Sequence, residues 1–416
     1  MRVLLTNTGP WGTGSAVVAE AVVKDLRRRG HPAMLFFPDA QFETPEKKHY
    51  YGQPERYRIW RFPVERDGLR LETFPLMITD PHPRNFPRAW TFHDLPDELL
   101  ALYEQEARRE LERVIEDFRP DIIECQHIWT MGRLVNALGL PYIVTAHHSD
   151  QLGYRYDLRM QPLANQAAAG ARWIFAISDF VRREVLTLYH PIDPNKVVVL
   201  ENGYNQRLFR PRRVNRRQVL RALGVPDQER LPLISFSGKI SHTKGVDILL
   251  RANRRLQRER KALLLLLGAG RLEEVFSAEE RADFHRENVH LLGHRPQSVL
   301  AQVHNLAAVS VMPSRSEGFG IAALEAMGCG TPVVVSRSGG PESFAVGENV
   351  PVADPEALAG ALLKILALPP GEARALRRTA HQQALHYSWR EITQRRLRYY
   401  RQALKRRPAP AGTPLF

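Results

Sequence analysis

Short apolar runs alternate along the chain with longer stretches in which apolar residues recur every three or four positions. VLLTN (3–7) predicts a strand, a glycine-rich turn follows, and SAVVAEAVVKDLRRRG (15–30) predicts a helix ending at Gly30. AMLFF (33–37), DIIEC (121–125), YIVTA (142–146), WIFAI (173–177) and KVVVL (196–200) continue the strand series, with helical stretches such as DELLALYEQEARRELERVIEDF (97–118) between them. The series restarts after residue 210 with LISFSG (233–238), ALLLLLG (262–268), NVHLLG (288–293), AVSVMP (308–313) and TPVVVS (331–336). Strands that alternate with helices predict a parallel sheet covered on both faces. The expected fold class is α/β, with two doubly wound units joined near NGYNQRLFRPRR (202–213). A last helix is expected over about 388–405, followed by a frayed, proline-rich tail.

Between residues 40 and 96 the alternation weakens. TFPLMITDPHPRNFPRAWTF (73–92) is too rich in proline for a regular helix or a central strand. It is expected to be a packed surface loop or, in the sharper reading, an acceptor-binding loop.

A length of 416 residues fits two domains, and 44% apolar with 25% charged residues fits a soluble enzyme. The first apolar run, VLL, is too short for a secretory signal, and ALLLLLGAG (262–270) is far below membrane-spanning length. The two cysteines, Cys125 and Cys329, stand in unrelated contexts and form no metal spacing or disulfide framework. A cytoplasmic location is expected. The net charge of +14 is uneven: residues 1–200 hold 25 Lys and Arg against 26 Asp and Glu, residues 201–416 hold 34 against 19. A polyanionic partner, an anionic membrane surface or a solvated face near a small anionic ligand would each suit the basic half.

Two facing units of this class form a cleft at the carboxyl ends of their strands, where ligands bind. SRSEGFGIAALEAMGCGTPVVV (314–335) sets Glu317 and the Gly-Phe-Gly turn at the mouth of a helix that begins after Gly320, and Glu325 two turns further in, about 12 Å along at 1.5 Å per residue. A helix N-terminus suits phosphate, and a carboxylate beside it suits sugar hydroxyls. The plainer alternatives are a helix-terminal charge at Glu317 and an exposed helix residue at Glu325, although the latter has apolar neighbours and would need a partner. In FSGKISHTKGVDILLRA (236–252), Lys239 and Lys244 flank a strand-to-helix turn and could neutralise a diphosphate, without the Walker spacing. GPWGTGS (9–15) lacks the G-x-G-x-x-G spacing but allows close backbone approach to a ligand. VTAHHSD (144–150) puts His147 and His148 at the end of a strand.

EGFGIAALEAMGCGTPVVVSRSGGPE resembles the signature of the retaining family-4 glycosyltransferases of GT-B fold, with its two glutamates separated by seven residues. SGKISHTKGVDILL, NVHLLGHRPQSVLAQVHNLAAVSVMPSRSEGFG, KVVVLENGYNQRLFRP and DIIECQHIWTMGRLVNALGLPYIVTAHHSD resemble further stretches of that family, and the likeness covers most of residues 1–400. The resemblance implies an acceptor-binding Rossmann-like domain over 1–205, a donor-binding one over 206–389, and a C-terminal helix, about 390–416, packing back on the first. It implies that Glu325 holds the donor ribose, Glu317 the transferred sugar, and Lys239 and Lys244 the diphosphate. The backbone of Gly318, Phe319, Gly320 and Ile321 would line sugar and diphosphate, Arg295 would lie near the base, and His147 near the reacting carbon. Gly12, Gly14 and Gly238 are further expected ligand contacts.

The resulting expectation is a retaining glycosyltransferase that moves a hexose from a nucleotide-sugar, UDP-linked before GDP-mannose, to a hydroxyl of a saccharide, a small polar molecule or a lipid-linked glycan. No D-x-D motif is present, and no metal or further cofactor is expected. No specific nucleic acid is expected as a partner, and the near-neutral first half suggests membrane association that is at most peripheral. The alternative is a catalytically idle nucleotide-sugar or polyanion binder on the same fold, motivated by the basic second half.

Overall fold

A computed structural model of the protein describes residues 1–9, 11, 13–40, 48–78, 91–226 and 231–405. The chain divides into two units, Met1–Glu201 together with the chain from Arg390 onward, and Asn202–Trp389. Among the described residues no helix is long and apolar enough to cross a membrane.

The first unit is built on β1 (Val3–Asn7), β2 (Ala33–Asp39), β3 (Tyr57–Arg61), β6 (Ile122–Gln126), β7 (Tyr142–Ala146), β8 (Ile174–Ala176) and β9 (Val197–Val199), with β4 (Val64–Arg66) and β5 (Leu69–Leu71) as a separate hairpin. The seven strands are parallel in the order β3-β2-β1-β6-β7-β8-β9. Every residue of β1, β2, β6, β7 and β8 is buried, as expected for strands covered on both faces. The weak pattern between 40 and 96 hides the edge strand β3 and the hairpin. Asp67 and Gly68 turn the hairpin with φ of 51° and 78°, the two positive values a tight primed turn requires. Of the proline-rich stretch 73–92, residues 79–90 lie outside the described residues, as do Pro10, Gly12 and the tail from residue 406.

The second unit repeats the plan with β10 (Leu233–Ser237), β11 (Leu263–Leu267), β12 (Val289–Leu291), β13 (Val309–Met312), β14 (Val333–Ser336) and β15 (Gly347–Val350). They are parallel in the order β12-β11-β10-β13-β14-β15. The five leucines of β11 divide between two cores by strand alternation. Leu264 and Leu266 join Leu249 and Leu256 of helix Val246–Glu259, while Leu263, Leu265 and Leu267 join Val219, Leu220 and Val303. Each buried leucine contributes about 1.5–3 kcal/mol of apolar burial.

Helix Trp389–Lys405 buries Ile392, Arg396, Tyr400 and Ala403, a stripe of helical spacing. From Arg390 onward it belongs to the first unit. Tyr399 meets the rings of Trp173 and Phe175 at 5.1 and 5.4 Å, and Arg395 pairs with Glu201 at 2.7 Å.

Candidate active site

In the second sheet the chain leaves β10 and β13 in opposite directions, so the loops that follow these neighbouring strands border the topological switch point, where α/β sheets bind ligands. The first loop leads from Gly238 to helix Val246–Glu259, and the second from Pro313 to helix Ile321–Gly328. Arg315 joins them. Its backbone N–H donates to Thr243 O at 2.7 Å, and its guanidinium donates to His242 O at 2.6 Å and to both oxygens of Asp247 at 2.7 Å. Burial alone would raise the Asp247 carboxyl, but the Arg315 hydrogen bonds and the Arg315 and Arg251 charges outweigh it and hold it low. Gly245 has φ of 67°, and a Cβ there would lie 1.9 Å from Pro313 O. The two loops therefore meet backbone to backbone at a position that only glycine fits.

Lys244 and Glu317 face each other across this junction, Nζ to Oε2 at 2.6 Å. The Glu317 backbone is fixed as well: its N–H donates to Ser338 O at 3.1 Å and its carbonyl accepts from Gly340 N at 2.9 Å. Lys239 lies exposed on the same loop as Lys244. The helix that begins at Ile321 follows Gly320 and has no side-chain cap, nor has the helix that follows Gly245. Both helix starts thus present N–H groups that no capping side chain takes. Phe319 turns its ring inward, 4.9 Å from Phe344 and 6.0 Å from Tyr387, so only its backbone faces the loop.

The helix starts at Ile321, as expected after Gly320, and Glu317 lies in the loop before it. Glu325 is not an exposed helix residue. It is 7% exposed, and the hydrogen-bond partner found for its side chain is Gln297, whose Nε2 donates to Oε1 at 3.4 Å. Burial pushes its carboxyl up to about 8. Gln297 opens helix Gln297–Leu306, two residues after Arg295, so this contact brings the Arg295 loop beside Glu325. The Arg295 Nε is buried without a partner among the described residues.

In the first unit, His147 follows β7 and is partly exposed. Its Nε2 lies 2.8 Å from Gln126 Oε1, and its backbone N–H donates to Asp150 Oδ1 at 2.9 Å. The other Asp150 oxygen accepts from Ile128 N at 3.0 Å, which ties the ends of β6 and β7 together. His127, Thr130 and His148 hold positive φ values of 77°, 67° and 74° in these loops, a concentration of backbone strain at one sheet end. His148 instead pairs with Glu184 at 2.6 Å. Gly14 opens helix Gly14–Arg28, whose N-terminus is capped by Thr13, and a Cβ on it would meet nothing within 4 Å.

The second unit also holds a cavity of about 380 Å³ lined by Arg212, Arg213, Arg377, Arg378 and His381. Arg377 donates to Ala307 O at 2.7 Å and the His381 ring nitrogen lies 2.8 Å from Gly328 O. These carbonyls lie at the C-terminal ends of helices Gln297–Leu306 and Ile321–Gly328, opposite the Glu317 loop. The Arg377 cation there complements the C-terminus of helix Gln297–Leu306, which accounts for part of the basic surplus.

Residues 231–367 match the family described as glycosyl transferases group 1, and residues 13–203 match the glycosyl transferase 4-like domain. A D-inositol 3-phosphate glycosyltransferase of Segniliparus rotundus is 28% identical, over 97% of this chain and 89% of its own. A protein of the same name from Saccharomonospora viridis is 30% identical, over 67% and 69%. Among solved structures, Anabaena Alr3699/HepE in complex with UDP and glucose superposes with a TM-score of 0.67 at 17% identity, over 97% of this chain and 100% of that one.

Proposed function

The chain belongs to the group 1 glycosyltransferases and has the GT-B fold, and we propose that it moves a hexose from a nucleotide-sugar to an acceptor hydroxyl with retention of anomeric configuration. The observation that carries this reading is the junction of the β10 and β13 loops, where Lys244 pairs with Glu317 beside an uncapped helix start. Breaking a sugar–phosphate bond develops negative charge on the diphosphate and positive charge on the sugar carbon. Lys239, Lys244 and the helix start at Ile321 stabilise the first of these, a preorganised electrostatic effect. Glu317 accepts hydroxyls of the transferred sugar, and the backbone of Gly238 and of Gly318 to Ile321 lines sugar and diphosphate. Glu325, buried beside Gln297, takes the ribose hydroxyls, and the Arg295 loop flanks the base. In this reading the first unit binds the acceptor and His147 contacts substrate near the reacting carbon.

A UDP-hexose is the preferred donor, supported by the UDP bound in Alr3699/HepE, with GDP-mannose next. The acceptor class is a saccharide, a small polar molecule or a lipid-linked glycan, and the inositol phosphate in the relatives' names favours a small phosphorylated polyol. The test is incubation with UDP-glucose or GDP-mannose, with and without an inositol phosphate, read by proton NMR. Release of nucleoside diphosphate and a product with the donor's anomeric configuration is expected. An inverted product, or no turnover of either donor, would contradict it.

A further inference from the structure

Buried polar side chains behind the end of β7 form one connected chain within the first unit, and the reading above uses only its last member. Glu124, in β6, is fully buried. Its Oε1 accepts from Gln126 Nε2 at 2.8 Å, Thr145 Oγ1 at 2.8 Å and Arg396 Nη1 at 2.5 Å, and its Oε2 accepts from the Tyr400 hydroxyl. Gln126 Oε1 then meets His147 Nε2 at 2.8 Å.

The proton positions follow from donor and acceptor rules. A carboxylate ringed by four donors can only accept. The Gln126 end that meets it is therefore the NH2, because the reverse rotamer would press a carbonyl oxygen against a carboxylate oxygen. The Gln126 carbonyl is left facing the imidazole, and a carbonyl cannot donate. His147 Nε2 must carry the proton. Burial, with His127 and Arg396 nearby, lowers the His147 pKa well below its ordinary value, so the ring is neutral near pH 7 and its other nitrogen is bare. The His127 ring is 5.3 Å away, and Asp150 is occupied by backbone N–H groups, so neither changes this assignment.

We propose that Glu124 and Gln126 are positioning residues that hold His147 as its Nε2–H tautomer, with Nδ1 as the acceptor for a substrate hydroxyl, and that Arg396 and Tyr400 of the last helix fix Glu124 for this task. The proposal rests on the reading of His147 as a substrate contact. It makes His147 a group that receives a hydroxyl proton in a hydrogen bond and has none to give at that atom. It also gives the last helix a role in the chemistry beyond bracing the first sheet.

The test is long-range nitrogen–proton correlation of the imidazoles in the full-length, 15N-histidine-labelled chain near neutral pH, with His147 assigned by its loss in His147→Asn. The expected wild-type signal is a protonated Nε2 and a bare Nδ1. Gln126→Met removes the carbonyl at similar volume, and Glu124→Gln lets the Gln126 amide turn either way. Both should give mixed tautomers. In Gln126→Met, turnover of the donor should fall about tenfold while its KM stays within a factor of about two, because the donor contacts are untouched. A wild-type Nδ1–H ring, or an unmoved tautomer in Gln126→Met, would overturn the proposal. If Glu124→Gln does not fold, the other two spectra decide alone. The spectra need no substrate, so undiminished transfer by His147→Asn would refute the substrate role separately.

Discussion

The ammonium of Lys244 lies 2.6 Å from a carboxylate oxygen of Glu317 and joins the loops that follow two adjacent strands of the second sheet. The side chains are 29% and 16% exposed, so the pair contributes at most about 1 kcal/mol to stability. In the proposed function the pair holds a cation and an acceptor ready where charge would develop. Lys244→Ala should therefore shift the melting temperature by no more than about 3 °C. The same change should weaken donor binding roughly ten- to a hundredfold, the loss of a charge-assisted hydrogen bond. A large drop in melting temperature with unchanged donor affinity would make the pair structural.

Glu325 sets a pH dependence. Burial raises its carboxyl from 4.5 to about 8. Between those values the folded chain keeps a proton that the unfolded chain has lost. Stability from this group is complete below the lower value, falls as pH rises toward the upper one, and is gone above it. Glu325→Gln should flatten that part of the stability profile. In the proposed site ribose hydroxyls donate to the ionised form, so donor binding near pH 7 should release a proton, and affinity should rise with pH up to about 8. Calorimetry in buffers of different ionisation enthalpy reads this directly. Proton uptake would contradict it.

The buried pair of Glu124 and Arg396 predicts a stability cost. Arg396 Nε and Nη2 have no acceptor among the described residues, so removing Glu124 would strand a buried cation. Glu124→Ala should cost about 3–5 kcal/mol in urea unfolding of the first unit. Tyr400→Phe, which loses one bond to a charged acceptor, should cost about 1.5–3 kcal/mol. A loss below about 1 kcal/mol for Glu124→Ala would show that the helix is held by its apolar face alone.

Two glycines should respond oppositely to alanine. At Gly245 the added Cβ would strike Pro313 O, push apart the loops of Lys244 and Glu317, and remove donor binding together with stability. At Gly14 the Cβ is accommodated, and alanine should leave transfer unchanged and stability unchanged or raised by up to about 1 kcal/mol through helix propensity. Loss of transfer in Gly14→Ala would show that a ligand approaches that backbone.

Strands buried on both faces were readable because apolar runs such as LLLLL in β11 have few other uses. β3 was not, because its YRIWR mixes charge into an edge strand with a half-exposed pattern, although the Asp67–Gly68 turn just beyond was a legible hairpin signal. Lys244 and Glu317 stood out by their place at strand-to-helix turns. Their contact did not, since 73 positions separate them and only the strand order brings their loops together. Gln126 and Gln297 went unnoticed for the same reason. Glu124 did carry a sign: a carboxylate inside a strand that is otherwise apolar must have a buried partner, and Arg396 in a distant helix supplies it.

The proposed function requires the second unit to bind a nucleotide-sugar through Lys244, Glu317 and Glu325. Its most direct test is calorimetric titration of the wild type, Glu325→Ala and Lys244→Ala with UDP-glucose and GDP-mannose at two salt concentrations. One donor should bind the wild type with shallow salt dependence, and both variants should bind it at least about tenfold more weakly while remaining folded. Binding of neither donor, together with tight and steeply salt-dependent binding of a polyanion such as heparin, would contradict the proposed function and make the basic surface the functional feature.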